Sequence, residues 1–140
     1  MKQSVTFYST MFEDDEYDAN GNFNDVVGKT LASWLAEKLP EHGIAVEQIF
    51  EEGWGWMVIV HWKPYLLSIS CTFWDGDVWL CIPNAEYGYL ARLFKKVDTK
   101  KDLAKLIDAL DAVLKSEPNI SQIQWHEGTS PERFDPDQAT

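Results

Sequence analysis

The sequence predicts an α+β fold, a mostly antiparallel sheet with helices packed on one face, and three observations carry the prediction. The elements read strand, helix, four strands, two helices, strand. The four central strands are joined by turns too short to hold a crossover, so they form an antiparallel meander over about residues 44–82. Each helical stretch carries one apolar stripe, as an element that covers one sheet face requires.

The segment VTFYST (5–10) has the composition of a short strand and is followed by the acidic loop MFEDDEYDANGNF. From Asn24, a capping residue, Val27, Leu31, Trp34, Leu35 and Leu39 recur at helical spacing until Pro40 and Gly43 stop the run. Asp75-Gly76 between two apolar runs is a hairpin signal that pairs Trp74 with Asp77, Cys71 with Leu80 and Thr72 with Trp79. A turn at Trp62-Lys63-Pro64-Tyr65 sets Val58 against Ile69 and Trp56 against Cys71. The loop Glu51-Glu52-Gly53, with glycine left-handed, pairs Phe50 with Trp54, Gln48 with Trp56 and Val46 with Val58. The other register would press Glu47 against Val58 in the core, which is costly for a charge.

After the meander, Leu90, Leu93, Phe94 and Val97 mark a short helix. A longer one opens at Asp98 or Thr99 and runs through Leu103, Leu106, Ile107, Leu110, Val113 and Leu114 to a stop before Pro118. A last strand spans Ile120–Glu127. Residues 1–127 therefore form one α+β domain, and 128–140, GTSPERFDPDQAT after its first residue's neighbour Glu127, read as a disordered tail.

In this register Trp54 and Trp56 of the EEGWGW stretch alternate in phase with Val58 and Val60, which assigns them to the core rather than to a cleft. The opposite face carries Ile49, Met57, Ile59, Leu66, Trp74, Trp79 and Cys81 among polar residues. A solvated sheet face is more polar than that, so burial against a second copy or a partner protein is expected there. The same register sends Cys71 inward and Cys81 outward.

Charge is unevenly placed along the 140 residues, whose net charge is −11. Residues 1–52 hold eleven acids against three bases, 53–117 hold eight against eight, and 118–140 four against one. Such a field repels phosphate backbones and anionic lipid and steers a basic partner inward. No secretory signal and no spanning apolar segment is evident, so the expectation is a soluble cytoplasmic protein that binds neither nucleic acid nor membrane.

Catalytic and metal signatures are lacking. Glu16, Asp18, Asn20 and Gly21 match the spacing of a calcium loop, yet the closing position is Val27 rather than glutamate. His42, His61 and His126 stand at no ligand spacing, and the two cysteines form no CxxC. No cofactor and no metal is expected.

The run LASWLAEKLPEHG followed by EEGWGW resembles a group of small, uncharacterised bacterial proteins in which an LAxWLAEKL helix and a short strand precede a WGW turn. The likeness covers roughly residues 25 to 82. It implies a small bacterial cytosolic protein and transfers no site residues.

The sequence thus suggests a non-enzymatic interaction domain, of the kind of an immunity-type or regulatory inhibitor, that binds a basic protein. Asp14, Asp15, Glu16 and Asp18 supply the charge, and Met57, His61, Trp74 and Trp79 the contact face, which also serves a homodimer. The alternatives are a ligand-binding module that uses the aromatic sheet face, and an enzyme without a recognisable motif, assembled around His61 and Cys81.

Overall fold

A computed structural model describes residues 2–12, 27–75, 77–86 and 99–128. The architecture is α+β. Strands β1 (Ser4–Tyr8), β2 (Gln48–Glu52), β3 (Gly55–His61), β4 (Leu66–Asp75), β5 (Val78–Glu86) and β6 (Ser121–His126) form one antiparallel sheet in the order β2-β3-β4-β5-β1-β6. Helices α1 (Lys29–Lys38) and α2 (Lys100–Ser116) pack on one face. The meander is therefore present as β2 to β5, with β1 seated between β5 and β6. The expected short helix at 90–97, the cap Asn24 and the 129–140 part of the tail lie outside the described residues.

The core forms where the helix stripes meet that face. Leu31, Ala32 and Leu35 of α1, and Leu106, Leu110, Val113 and Leu114 of α2, close over Val5, Phe7, Val58, Ile69, Cys71 and Cys81. Burying a side chain of this size contributes about 1.5–3 kcal/mol, so the two stripes hold the helices to this face of the sheet. Helix α1 begins at Gly28, whose φ of 126 suits glycine. A Cβ there would also sit 2.7 Å from the Cys71 carbonyl oxygen. The chain turns out of α1 through a short 3-10 segment at Leu39–His42, stopped by Gly43 at φ 86.

Two registers differ from expectation, and both have a packing cause. In the β4–β5 hairpin Asp75 pairs with Val78, and the ladder then shifts so that Phe73 pairs Trp79, Thr72 pairs Leu80 and Cys71 pairs Cys81. One extra residue, Trp74, is accommodated at the shift. A slip of one residue reverses the face of every side chain beyond it, so Trp79 and Cys81 point at the helices and Leu80 and Ile82 point away. The alignment with β1 agrees, since Val5 pairs Cys81 and Phe7 pairs Trp79. It also buries an indole whose Nε1 donates to the Ser9 carbonyl oxygen at 3.2 Å.

In the β2–β3 hairpin Glu52 pairs with Gly55, Phe50 with Met57 and Ile49 with Val58. The turn is Gly53-Trp54, not Glu51-Glu52-Gly53, and positive φ occurs at Gly28 and Gly43 among the described glycines, not at Gly53. The cause is close approach: a Cβ at Gly55 would lie 2.4 Å from the Cys71 carbonyl oxygen, so this strand can sit here only with glycine in that place. Trp54 is thereby moved to the hairpin tip and is exposed, while Trp56 stays packed against the core. The β3–β4 register is as expected from Trp56↔Cys71 to Ile59↔Ser68 and shifts only at Val60.

Among the described residues no helix is long and apolar enough to cross a membrane.

Candidate functional site

Both hairpins turn at one end of the sheet, and β1 runs toward that end because Tyr8 pairs with Val78. Three large apolar side chains are exposed there: Trp54 (49%), Phe73 (38%) and Tyr8 (38%). Two of them are tied to neighbouring residues. The Trp54 carbonyl oxygen accepts a hydrogen bond from the Thr72 hydroxyl at 3.0 Å. Phe73 packs edge-on against Trp79, and Trp79 against Phe12, at centroid distances of 5.8 and 5.7 Å. Phe12 in turn meets Trp34 of α1 at 5.7 Å. A continuous row of rings thus leads from the core to the surface at Phe73. The Ser9 N–H donates to the Asp77 carbonyl oxygen at 3.0 Å and closes β1 onto the β4–β5 tip.

The charge around this end is largely negative. Glu51 and Glu52 precede the first tip and Asp77 belongs to the second. The chain leaves the described fold at Phe12 and re-enters it at Val27, both buried in the core cluster. Between them the sequence 13–26 has six acids and no base. Lys29, the first residue of α1, holds its Nζ 5.5 Å from the Trp56 ring centroid, where the ring face attracts the cation.

A second exposed pair lies on the sheet face away from the helices. Phe50 (41%) and Trp62 (42%) meet edge to face at 6.2 Å beside the half-buried Met57. The middle of that face is closed to solvent, since Ile59, Ser68, Thr6 and Leu80 are all buried. Its exposed aromatic area is therefore confined to the rim.

The residues expected to bind a partner fall into three groups. Asp14, Asp15, Glu16 and Asp18, and the calcium-like spacing that includes two of them, lie outside the described residues. Met57 is half-buried on the expected face, and Trp74 is half-buried at the β4–β5 shift. Trp79 is corrected: at 1% exposure under the helices it offers no surface, and the reason is the one-residue register shift. Cys81 moves inward with it, directly opposite Cys71, so the cysteines share a face rather than dividing between two. Phe50 and Trp54, assigned to the interior, are exposed instead, and Trp62 and Phe73 join them. For Phe50 the signal lay in the turn chemistry, because the one-residue shift of the β2–β3 hairpin reverses the faces of β2.

His61, also expected on the contact face, is half-buried against Tyr65. Its Nδ1 is 2.8 Å from the Tyr65 carbonyl oxygen and its ring stacks edge-on against the Tyr65 ring at 4.9 Å. The Tyr65 hydroxyl is buried and donates to Asp102 at 2.5 Å. His61 thus meets the Tyr65 carbonyl oxygen and ring while the Tyr65 hydroxyl meets Asp102, and together these contacts fasten the β3–β4 turn to the start of α2. On β6, burial lowers the His126 pKa, and its Nε2 pairs with the Thr6 hydroxyl at 2.8 Å. Burial raises Asp111, but hydrogen bonds from Lys115 and Trp125 outweigh that and hold its carboxyl below the ordinary value.

A groove beside Lys2, Leu103, Ala104 and Ile107 encloses about 240 Å³. That is short of the roughly 300–1,000 Å³ of a small-molecule site. Among the described residues no three His, Cys, Asp or Glu side chains converge as metal ligands. Comparison of the chain with protein-family models, with curated proteins and with solved structures finds no match.

Proposed function

We propose that the protein is a non-enzymatic interaction domain that binds a basic protein through the turn end of its sheet. An inhibitor that neutralises a basic toxin is a protein of this kind. One observation carries the reading: Trp54 and Phe73 are exposed at the same end as Glu51, Glu52, Asp77 and the two anchors of the six-acid segment 13–26, with the Trp54 carbonyl bonded to Thr72 and the Phe73 ring packed on Trp79. Aromatic anchors with charge of one sign around them suit a recognition surface, in which the rings supply binding energy and the charge selects and steers the partner.

The test uses the whole protein as immobilised bait, beside the double variant Trp54→Ala/Phe73→Ala. The expected partner is basic, is released at about 1 M salt, where the screening length falls to about 3 Å, and is not retained by the variant. No partner at all, or one indifferent both to salt and to the two rings, overturns the reading.

A further inference from the structure

We propose that strand β2 is the edge onto which the partner docks, and that it accepts an extended, lysine- or arginine-rich segment as a seventh strand. The inference rests on the reading of a basic partner given above and specifies how that partner is held.

Strand β2 ends the sheet order and, among the described elements, pairs with β3 alone. Glu52 and Gly55 close a two-residue turn, which makes them a hydrogen-bonded pair. Alternation along the strand then commits Phe50 and Gln48 to β3 and directs the backbone N–H and C=O of Ile49 and Glu51 to the open side. The other outer strand, β6, is less regular: its ladder with β1 shifts between Thr6 and Tyr8 and its Gln122 has φ 54, and such irregularity blunts an edge.

The residues of the open edge specify its occupant. Residues 44–61 contain Glu47, Glu51 and Glu52 and no lysine or arginine. A second copy laid along β2 would bring these carboxylates against their own equivalents, and like charges across a strand pair are unfavourable. A basic strand meets the opposite situation. Beside the edge, the exposed Phe50 and Trp62 rings offer aromatic faces to the stems and charges of such side chains. Main-chain bonds to Ile49 and Glu51 would give affinity, and the glutamates and the ring pair would give selection.

The probe is a synthetic peptide of alternating lysine and valine. Its controls are the same peptide with alternate amides N-methylated, and an alternating glutamate and valine peptide. With the whole protein, the lysine peptide is expected to bind and to slow hydrogen exchange at the Ile49 and Glu51 amides about tenfold or more. N-methylation is expected to weaken binding about tenfold through loss of the main-chain bonds, and the glutamate peptide not to bind. Glu51→Pro, which removes an outward N–H from an edge position where proline is tolerated, should abolish the protection, whereas Glu51→Gln should weaken binding only a few-fold, about 2 to 5. If the N-methylated peptide binds equally well and protects no β2 amide, strand addition is wrong although capture of a basic partner stands. Binding of the glutamate peptide, protection of Ile49 and Glu51 by self-association of the protein alone, or absence of binding by any peptide also overturns the proposal.

Discussion

The β2–β3 and β4–β5 hairpins turn at the same end of the sheet and carry aromatic residues near their tips, but one tryptophan of each, Trp54 and Trp79, meets an opposite fate. The β4–β5 hairpin draws Trp79 into the core, where Phe12 and Phe73 meet it edge-on and the Ser9 carbonyl accepts its N–H. The β2–β3 hairpin leaves Trp54 and Phe50 in solvent. What differs is the next strand. β5 has β1 on its far side, and the chain beyond β1 brings Ser9 and Phe12 over the tryptophan; β2, among the described elements, has β3 only. Position in the sheet, rather than local hydrophobicity, decides which rings become core and which become surface.

The largest test of that contrast is one substitution made in both hairpins. Trp79→Ala removes a buried indole with its hydrogen bond and should cost about 3–5 kcal/mol, while Trp54→Ala should stay within about 0.5 kcal/mol. Urea unfolding followed by far-ultraviolet circular dichroism reads both. Comparable losses would mean that Trp54 is held as firmly as Trp79 and that the two tips are not distinct. For the same reason Trp79→Lys should unfold the protein rather than disturb a surface.

A smaller effect is expected where the hairpins touch. Gly55 lies against the Cys71 carbonyl oxygen of β4, whereas a Cβ at Gly53 would meet nothing within 4 Å. Gly55→Ala should therefore destabilise by about 1–3 kcal/mol through overpacking, and Gly53→Ala, two residues away, should be neutral or slightly stabilising, by up to about 1 kcal/mol, through the unfolded chain. Thermal midpoints of the pair suffice. A tolerated Gly55→Ala would show that the outer hairpin does not rest on β4 at this point.

Much of the fold was legible because its signals are local. Leu103, Leu106, Leu110 and Leu114 mark α2 by period alone, and the turn at Trp62-Lys63-Pro64-Tyr65 sets β3 against β4 correctly over Trp56 to Ile59. The candidate site was less legible because it depends on two one-residue choices that are not local. Asp75-Gly76 announces a hairpin but does not reveal that Trp74 is the extra residue of a bulge; β1, distant in sequence, favours the register that places Trp79 against Phe7. Gly55 likewise looks like part of a turn until the Cys71 carbonyl stands over it. Since each slip exchanges faces, the expected contact set keeps Met57 and loses Trp79, and Phe50 and Trp54, expected inside, are exposed.

The interior side of the contrast has a chemical reporter, the cross-strand pair Cys71 and Cys81. Burial, and after it the hydrogen bond and charge of the Cys81 thiol, raise Cys71 well above the ordinary thiol value. Its folded pKa exceeds the unfolded one, so the protonated form favours folding. That contribution is whole below the unfolded pKa of about 8.5, and declines as pH rises from there through the folded pKa, because the unfolded chain loses its proton first. Cys71→Ala should lower stability by about 1 kcal/mol at neutral pH, and the gap to the unsubstituted protein should narrow in alkaline solution as the thiol ionises on unfolding. Both thiols are buried and should resist a disulfide reagent such as dithionitrobenzoate until denaturant is added. A gap that does not change with pH, together with rapid labelling of the folded protein, would mean that water reaches the layer beneath the helices, and the β4–β5 hairpin would then be no better shielded than the open hairpin beside it.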